Sequence, residues 1–326
     1  MDKITFFHRN PKSGYSINIV TQTILAHLPF KDEFYMPYYS ASFSSLLKNL
    51  KYTYRHRNRI GINHITGDIH YCLLALIGCK SVITIHDTFL VDFKKSNILK
   101  KFIYILFWYK LPIFFASRVV CITNDTRKHL KKYTKRKDIE VIHNAINPSF
   151  KTKLKDIDKI PYNILFIGTT ENKNLERTVK ALKGFNCMLT IIGKLSEGQI
   201  EYLKEQQIKY RNKYNLSEIE MIREYENCDI VSFISLFEGF GMPFIEANKV
   251  GRPVITSTIP VLVEVAGNSA VFVDPMEVDN MKQGFERLFT DSYLRNQCVV
   301  RGLDNVKRFE ARTIVREWIE LYKSID

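Results

Sequence analysis

A chain of 326 residues that is 45% hydrophobic and 25% charged has enough apolar side chains for two cores, which excludes a disordered or fibrous protein. Its formal charge of +14 sits in the first half: residues 1–160 carry 27 lysines and arginines against 11 acids, whereas residues 161–326 carry 21 against 23. The first half is therefore expected to meet something anionic, with a plain solvated basic surface as the alternative.

Its basic residues fall on amphipathic segments without a recognisable nucleic-acid module, so anionic lipid is the expected partner and nucleic acid is not. No apolar run reaches the roughly 18 positions a spanning helix needs. Met1-Asp2-Lys3 leads straight into a strand-like run without a signal-peptide layout, so a cytoplasmic location is expected, peripheral at the inner face of the membrane. Cys72, Cys79, Cys121, Cys187, Cys228 and Cys298 are scattered through apolar segments with no CxxC pair and are expected as reduced core residues.

In chain order, the first strand is predicted over Ile4 to His8. A helix follows from Ser16 to Leu28, with Ser16 as its cap and Ile17, Val20, Ile24 and Leu28 on one face. Further strands are predicted over Val82 to His86, Arg118 to Ile122 and Glu140 to His143, short β-rich runs of the kind buried on both faces of a parallel sheet. Between them, Ile98 to Phe115 is apolar and aromatic, with lysines 94, 95, 100, 101 and 110 on or beside it. It is too short and too charged to span, and suits a helix lying in the headgroup layer of an anionic membrane; a buried helix with a basic outer edge is the alternative.

The lysine- and aspartate-rich stretch 151–161 reads as a linker. It divides the chain into residues 1–155 and 156–326. Strands are predicted over Asn163 to Ile167, Met188 to Ile192, Ile230 to Ile234, Val254 to Ser257 and Ala270 to Val273, each followed by a helical segment. A last helix, 309–325, packs on its own domain or back on the first. The fold class is α/β, two doubly wound, Rossmann-like domains, in which ligands sit outside the carboxyl ends of the strands.

At one such end lies Ser235-Leu236-Phe237-Glu238-Gly239-Phe240-Gly241-Met242-Pro243-Phe244-Ile245-Glu246-Ala247. The glycines let the backbone turn sharply and approach a ligand. Pro243 suits a helix start, whose unpaired N–H groups form a site for a diphosphate. Glu246, one turn into the helix, offers two acceptor oxygens for the paired hydroxyls of a ribose, and Glu238 offers the same to whatever the diphosphate carries. In the first half His86 ends a strand, where it is equally a site residue or a core histidine; His64, His70 and His143 read as structural.

The run Glu238 to Glu246, followed by Gly251-Arg252-Pro253-Val254-Ile255-Thr256-Ser257, resembles the E-x7-E signature of family 4 glycosyltransferases, retaining enzymes of the GT-B fold. The likeness extends over Phe166-Ile167-Gly168-Thr169, Asn172-Lys173-Asn174-Leu175, Ile191-Ile192-Gly193-Lys194 and Glu264-Val265-Ala266-Gly267, and more thinly over Thr84-Ile85-His86-Asp87. It implies two Rossmann-like domains facing across a cleft. It also implies Glu246 on the donor ribose, Glu238 on the donor sugar or its phosphate, Lys173 on the diphosphate and His86 near the sugar. Further donor contacts implied by the resemblance come from Gly168, Thr169, Asn174, Gly193, Lys194, Gly239, Phe240, Gly241 and Met242. Gly14 and Tyr15, on the first loop, are the acceptor-side candidates. Many members add an arginine near the lysine; Thr169 and Asn172 stand there instead, which leaves more of that duty to Lys173.

The expected activity is retaining transfer of a hexose-type sugar from a UDP- or GDP-linked donor to a glycan or polyprenyl-diphosphate-linked acceptor, in bacterial surface-polysaccharide synthesis such as O-antigen, capsule or lipopolysaccharide. A non-catalytic nucleotide-sugar-binding subunit and a nucleotide-sugar epimerase are the rivals. No metal or other cofactor is expected, and the D-x-D string Asp156-Ile157-Asp158 falls in the linker rather than after a strand.

Overall fold

A computed structural model describes residues 3–13, 16–28, 31–92, 97–157 and 160–325. The chain divides into two units, Met1–Asn147 with Glu310–Asp326, and Pro148–Phe309. Gly14, Tyr15, Lys94, Lys95 and Asp158 lie outside the described residues.

The first unit holds six parallel strands: β1 (Ile4–His8), β2 (Lys31–Tyr35), β3 (Ile62–Ile65), β4 (Ser81–Ile85), β5 (Arg118–Cys121) and β6 (Ile139–Val141), in the order β2-β1-β3-β4-β5-β6. Alternate residues point to opposite faces. Phe7, Ile65, Ile83 and Val119 join one core with Trp108 and Leu130, while Ile4, Phe6, Val82 and Val120 join another with Leu25, Ile314, Trp318 and Tyr322. The final helix, Ala311–Lys323, thus completes the first sheet's second face.

Two of these strands carry little apolar signal. β2, Lys-Asp-Glu-Phe-Tyr, is an edge strand paired on one side only, so its charged residues stay half-buried. In β3 the polar residues are fully satisfied: Asn63 donates to the carbonyls of Asn58 and Lys80, and the His64 ring bonds the Tyr322 and Thr84 hydroxyls at 2.7 Å each.

The stretch expected as one helix over Ile98 to Phe115 is three: an α-helix Ile98–Tyr104, a π-helical turn Ile105–Lys110 and an α-helix Leu111–Phe115. Pro112 has no N–H to give to the carbonyl one turn back. The His70 ring occupies that carbonyl instead, donating from Nδ1 to the Trp108 oxygen at 3.0 Å, and the Leu111 N–H reaches five residues back to Leu106.

The second unit holds β7 (Tyr162–Ile167), β8 (Cys187–Ile192), β9 (Tyr210–Lys213), β10 (Ile230–Phe233), β11 (Val254–Ser257) and β12 (Val271–Val273), all parallel in the order β12-β11-β10-β7-β8-β9. β9 is the polar edge strand here. The order reverses between β7 and β10, the switch point where open α/β sheets open a crevice at their carboxyl ends.

The stretch expected as a linker is laid along this unit, and the division falls at 147/148 rather than at 155/156. Its lysines have specific partners: Lys153 pairs with Glu226 and Lys155 with Asp229, each at 2.6 Å. The Thr152 hydroxyl donates to the Lys249 carbonyl, and Ile157 enters the core. Among the described residues no helix is long and apolar enough to cross a membrane, and no group of three or more His, Cys, Asp or Glu is arranged to hold a metal ion.

Candidate active site

At the second unit's switch point the loops after β7 and β10 are stitched together. The Leu236 N–H donates to the Asn172 carbonyl at 2.8 Å, and the Asn172 amide returns a bond to the Phe237 carbonyl at 3.0 Å. The loop after β7 turns through Gly168 at φ +92°, where a Cβ would lie 2.9 Å from Lys173 Cγ and Cε. That bare backbone lets the Lys173 chain lie across it and deliver Nζ to Glu238 Oε1 at 2.5 Å, 5.0 Å from the Phe233 ring centroid. Both side chains of the pair are less than a fifth exposed. An ammonium has three donors, and one is spent on Glu238; the others remain for an anion.

A parallel arrangement ends β8. Gly193, at φ +137°, leaves room for Thr169, whose hydroxyl donates to the Lys194 carbonyl at 2.9 Å. Asn174 takes the left-handed conformation that starts the next helix, and its amide donates to the Pro275 carbonyl at 2.7 Å. Buried there, its side chain fixes the loop that carries Lys173.

After β10 the chain turns through Gly241 at φ +109° into the helix Met242–Val250, whose first turn no side chain caps. A Cβ on Gly241 would meet Leu262 Cδ2 at 2.7 Å, so the turn depends on glycine. The Phe240 ring faces inward onto Phe309 at 5.6 Å, which leaves its backbone rather than its side chain to line the turn.

Glu246, on the second turn, accepts a 2.5 Å bond from the hydroxyl of Tyr225, itself fully buried. Burial pushes the Glu246 carboxyl up to about 7, partly offset by that hydrogen bond; burial likewise raises the Tyr225 hydroxyl well above its ordinary value, so it stays a donor.

The sequence reasoning did not single out Tyr225 or Arg252 for a role. Arg252 is wholly buried and donates to the carbonyls of Cys228, Glu226, Lys153 and Gly251, binding the end of one helix to the start of β11 and framing the Glu246 helix. A charged residue amid the apolar runs around Gly251-Arg252-Pro253 was the available signal. Tyr225 gave a weaker one, an aromatic on an otherwise charged helix, Glu218–Asn227.

In the first unit His86 follows β4. Its Nε2 is buried and has no hydrogen-bond partner, and burial lowers the ring to about 3, so the imidazole is neutral. It lines a cavity of about 170 Å³ with Arg9, Asp68, Asp87 and Tyr109 among others, at the carboxyl ends of β1, β3 and β4. The Arg9 guanidinium lies 3.8 Å from Asp68, and its Nε too is buried without a partner.

Comparison with known proteins adds family to geometry. Residues 150–303 match the family described as glycosyl transferases group 1, and residues 4–150 match glycosyltransferase family 4. The chain is a glycosyltransferase of the GT-B fold. It is 27% identical over 57% of its length to an uncharacterized glycosyltransferase, MJ1607, of Methanocaldococcus jannaschii, spanning 54% of that relative. It is 25% identical to the O-antigen chain mannosyltransferase RfbU of Salmonella typhimurium, over 70% of this glycosyltransferase and 67% of RfbU. Among solved structures, Anabaena HepE in complex with UDP and glucose shares the fold with a TM-score of 0.76, covering 99% of both chains at 15% identity.

Proposed function

We propose that this glycosyltransferase moves a hexose-type sugar, with retention at the anomeric carbon, from a UDP- or GDP-linked donor to a glycan or polyprenyl-diphosphate-linked acceptor in bacterial surface-polysaccharide synthesis. One observation carries this: at a single switch point, Lys173 from the loop after β7 pairs in a partly buried ion pair with Glu238, on the loop that leads into an uncapped helix bearing Glu246. Together they supply a cation and helix N-terminal amides for a diphosphate, and two carboxylates for hydroxyls. RfbU, an O-antigen chain mannosyltransferase, and HepE, whose structure contains UDP and glucose, support the substrate classes.

In this account Glu246 holds the ribose and Tyr225 orients it. Lys173 sits on the diphosphate, and Glu238 both positions Lys173 and accepts from the donor sugar. Gly168, Thr169, Gly193, Lys194 and the backbone of 239–242 line the donor. As the bond from the anomeric carbon to the diphosphate breaks, negative charge grows on the departing oxygen, and a fixed ammonium lowers the barrier. The acceptor oxygen bonds to the same face, and its proton passes to the departing phosphate oxygen. No metal takes part. His86, a neutral imidazole with an open Nε2, lines the first unit's cavity, and that unit takes the acceptor.

The first unit also supplies the proposed contact with the inner face of an anionic membrane. Ile98, Leu99, Phe102 and Phe114 are exposed, with Lys100, Lys101 and Lys110 among them. Titration calorimetry tests the donor site. Glu246→Ala should weaken donor binding about tenfold or more, from loss of charge-assisted bonds of roughly 1.5 to 3 kcal/mol each; unchanged affinity would refute the ribose assignment.

A further inference from the structure

The helix Phe43–His56 has an outer face that the first unit leaves largely exposed, with the Arg57 guanidinium 3.4 Å from the Tyr54 ring centroid. At about 100° per residue, Phe43, Leu47 and Tyr54 fall within an arc of about 40°, and Lys51, Arg55 and Lys48 follow over the next 100° or so. Phe43 is 75% exposed, Leu47 50% and Tyr54 54%. The inward face is settled: Asn49 and Thr53 are buried, and Leu46 and Leu50 pack on the sheet core. An apolar stripe flanked by a basic one, on a helix already anchored from behind, is the layout of a segment that lies in a membrane interface.

Topology puts this stripe beside the exposed residues of 98–115. The connections β2 to β3, β3 to β4, β4 to β5 and β5 to β6 all run the same way along the sheet, so right-handed crossovers place them on one face, opposite the β1 to β2 connection. The cores agree, with Leu46, Trp108 and Leu130 in one and Leu25 and Trp318 in the other. The short helix His70–Leu76 underlies both segments: the Tyr71 hydroxyl accepts from the Asn49 amide, and its ring packs against Trp108 at 4.8 Å. Residues 43–137, which include these crossovers, hold 19 lysines and arginines against 4 acids, a balance of +15 that accounts for the whole charge of the chain.

We infer that this crossover layer is a two-armed footprint on an anionic phospholipid bilayer, with Phe43, Leu47 and Tyr54 as a second inserting arm beside Ile98, Phe102 and Phe114. It rests on the membrane partner proposed above and adds a site to it. Charge selects the occupant, because a layer this basic rejects a second copy of itself while anionic headgroups neutralise it.

Co-sedimentation of the full chain with phosphatidylglycerol or phosphatidylcholine vesicles tests it, using Phe43→Ser/Leu47→Ser for one arm and Ile98→Ser/Phe102→Ser for the other. All four positions are exposed, and an unchanged thermal midpoint shows the fold intact. The expected result is wild-type binding to anionic vesicles alone, reduced tenfold or more by either double variant, and about fivefold for each of Lys51→Ala and Arg55→Ala. Full binding by Phe43→Ser/Leu47→Ser, with loss in the other variant, would overturn the second arm and leave the membrane partner standing. Equal partition of the wild type to both lipids would overturn both. A wild-type dimer that the Phe43/Leu47 variant dissociates, with vesicle binding intact, would make the stripe an interface between copies and overturn the arm.

Discussion

The two sheets solve the same topological problem with different materials. Each reverses its strand order beside its first strand, between β1 and β3 in one unit and between β7 and β10 in the other, and each opens a site at the carboxyl ends there. In the second unit that opening is shaped by backbone: Gly168, Gly193 and Gly241 at positive φ, and one partly buried ion pair. In the first it is shaped by side chains, with Arg9, Asp68 and His86 each arriving from a different strand end. A diphosphate is recognised by amides and a fixed cation, which demand particular backbone conformations. An acceptor is recognised by side chains, which any strand end can present. With the acceptor in the first site and the donor in the second, as proposed above, the first should vary with substrate while the second stays put.

The largest expected effect breaks the second site at its cation. Lys173→Ala should lower turnover by about a hundredfold or more with a smaller change in donor affinity, measured by steady-state kinetics beside calorimetry; a normal kcat would remove Lys173 from the chemistry. Next is the backbone. Gly241→Ala puts a Cβ 2.7 Å from Leu262 at a φ that disfavours side chains, and should cost about 2 kcal/mol in denaturant unfolding. No change there would show that the turn is not strained.

Smaller effects follow from titration. With Glu246 at about 7, donor binding to the carboxylate should weaken as pH falls below 7 and release a proton, visible as a buffer-dependent calorimetric heat. In the free protein the sign is opposite. The folded state holds that proton more tightly than the unfolded one, so the protonated form's stabilising contribution is complete below about 4.5 and is lost as pH rises through 7. Glu246→Gln should therefore raise the melting temperature at pH 8 and leave it unchanged at pH 4. The smallest effect lies in the first unit: His86, lowered to about 3, should add no inflection to the rate profile above pH 5. An inflection near 6.5 that vanishes in His86→Asn would show an ionising imidazole and would narrow the contrast between the two sites.

The same contrast explains what was legible in the sequence. β7, β8, β10 and β11 stand out as apolar runs because they are central strands, β12 stands out as Val-Phe-Val although it is an edge strand, and the residues at their ends could be read off once the strands were placed. β2 and β9 were missed because these two edge strands carry polar residues, and β3 because the partners that satisfy Asn63 and His64 lie outside the strand, Tyr322 being 258 residues away. Glu238, Lys173 and Glu246 were visible through the glycines and proline around them. Arg9 and Tyr225 were not, since a single arginine after a strand and a single tyrosine on a charged helix leave no pattern. Charge alone located the basic half, but only the crossover geometry shows which face of the sheet its helices cover.

A crystal structure of the protein with an intact UDP- or GDP-sugar tests the donor site most directly. The diphosphate should lie on the amides at the start of the Met242–Val250 helix, within hydrogen-bond reach of Lys173 Nζ, with both ribose hydroxyls on Glu246. Nucleotide bound elsewhere at saturating concentration, with those amides and both carboxylates facing solvent, would contradict it.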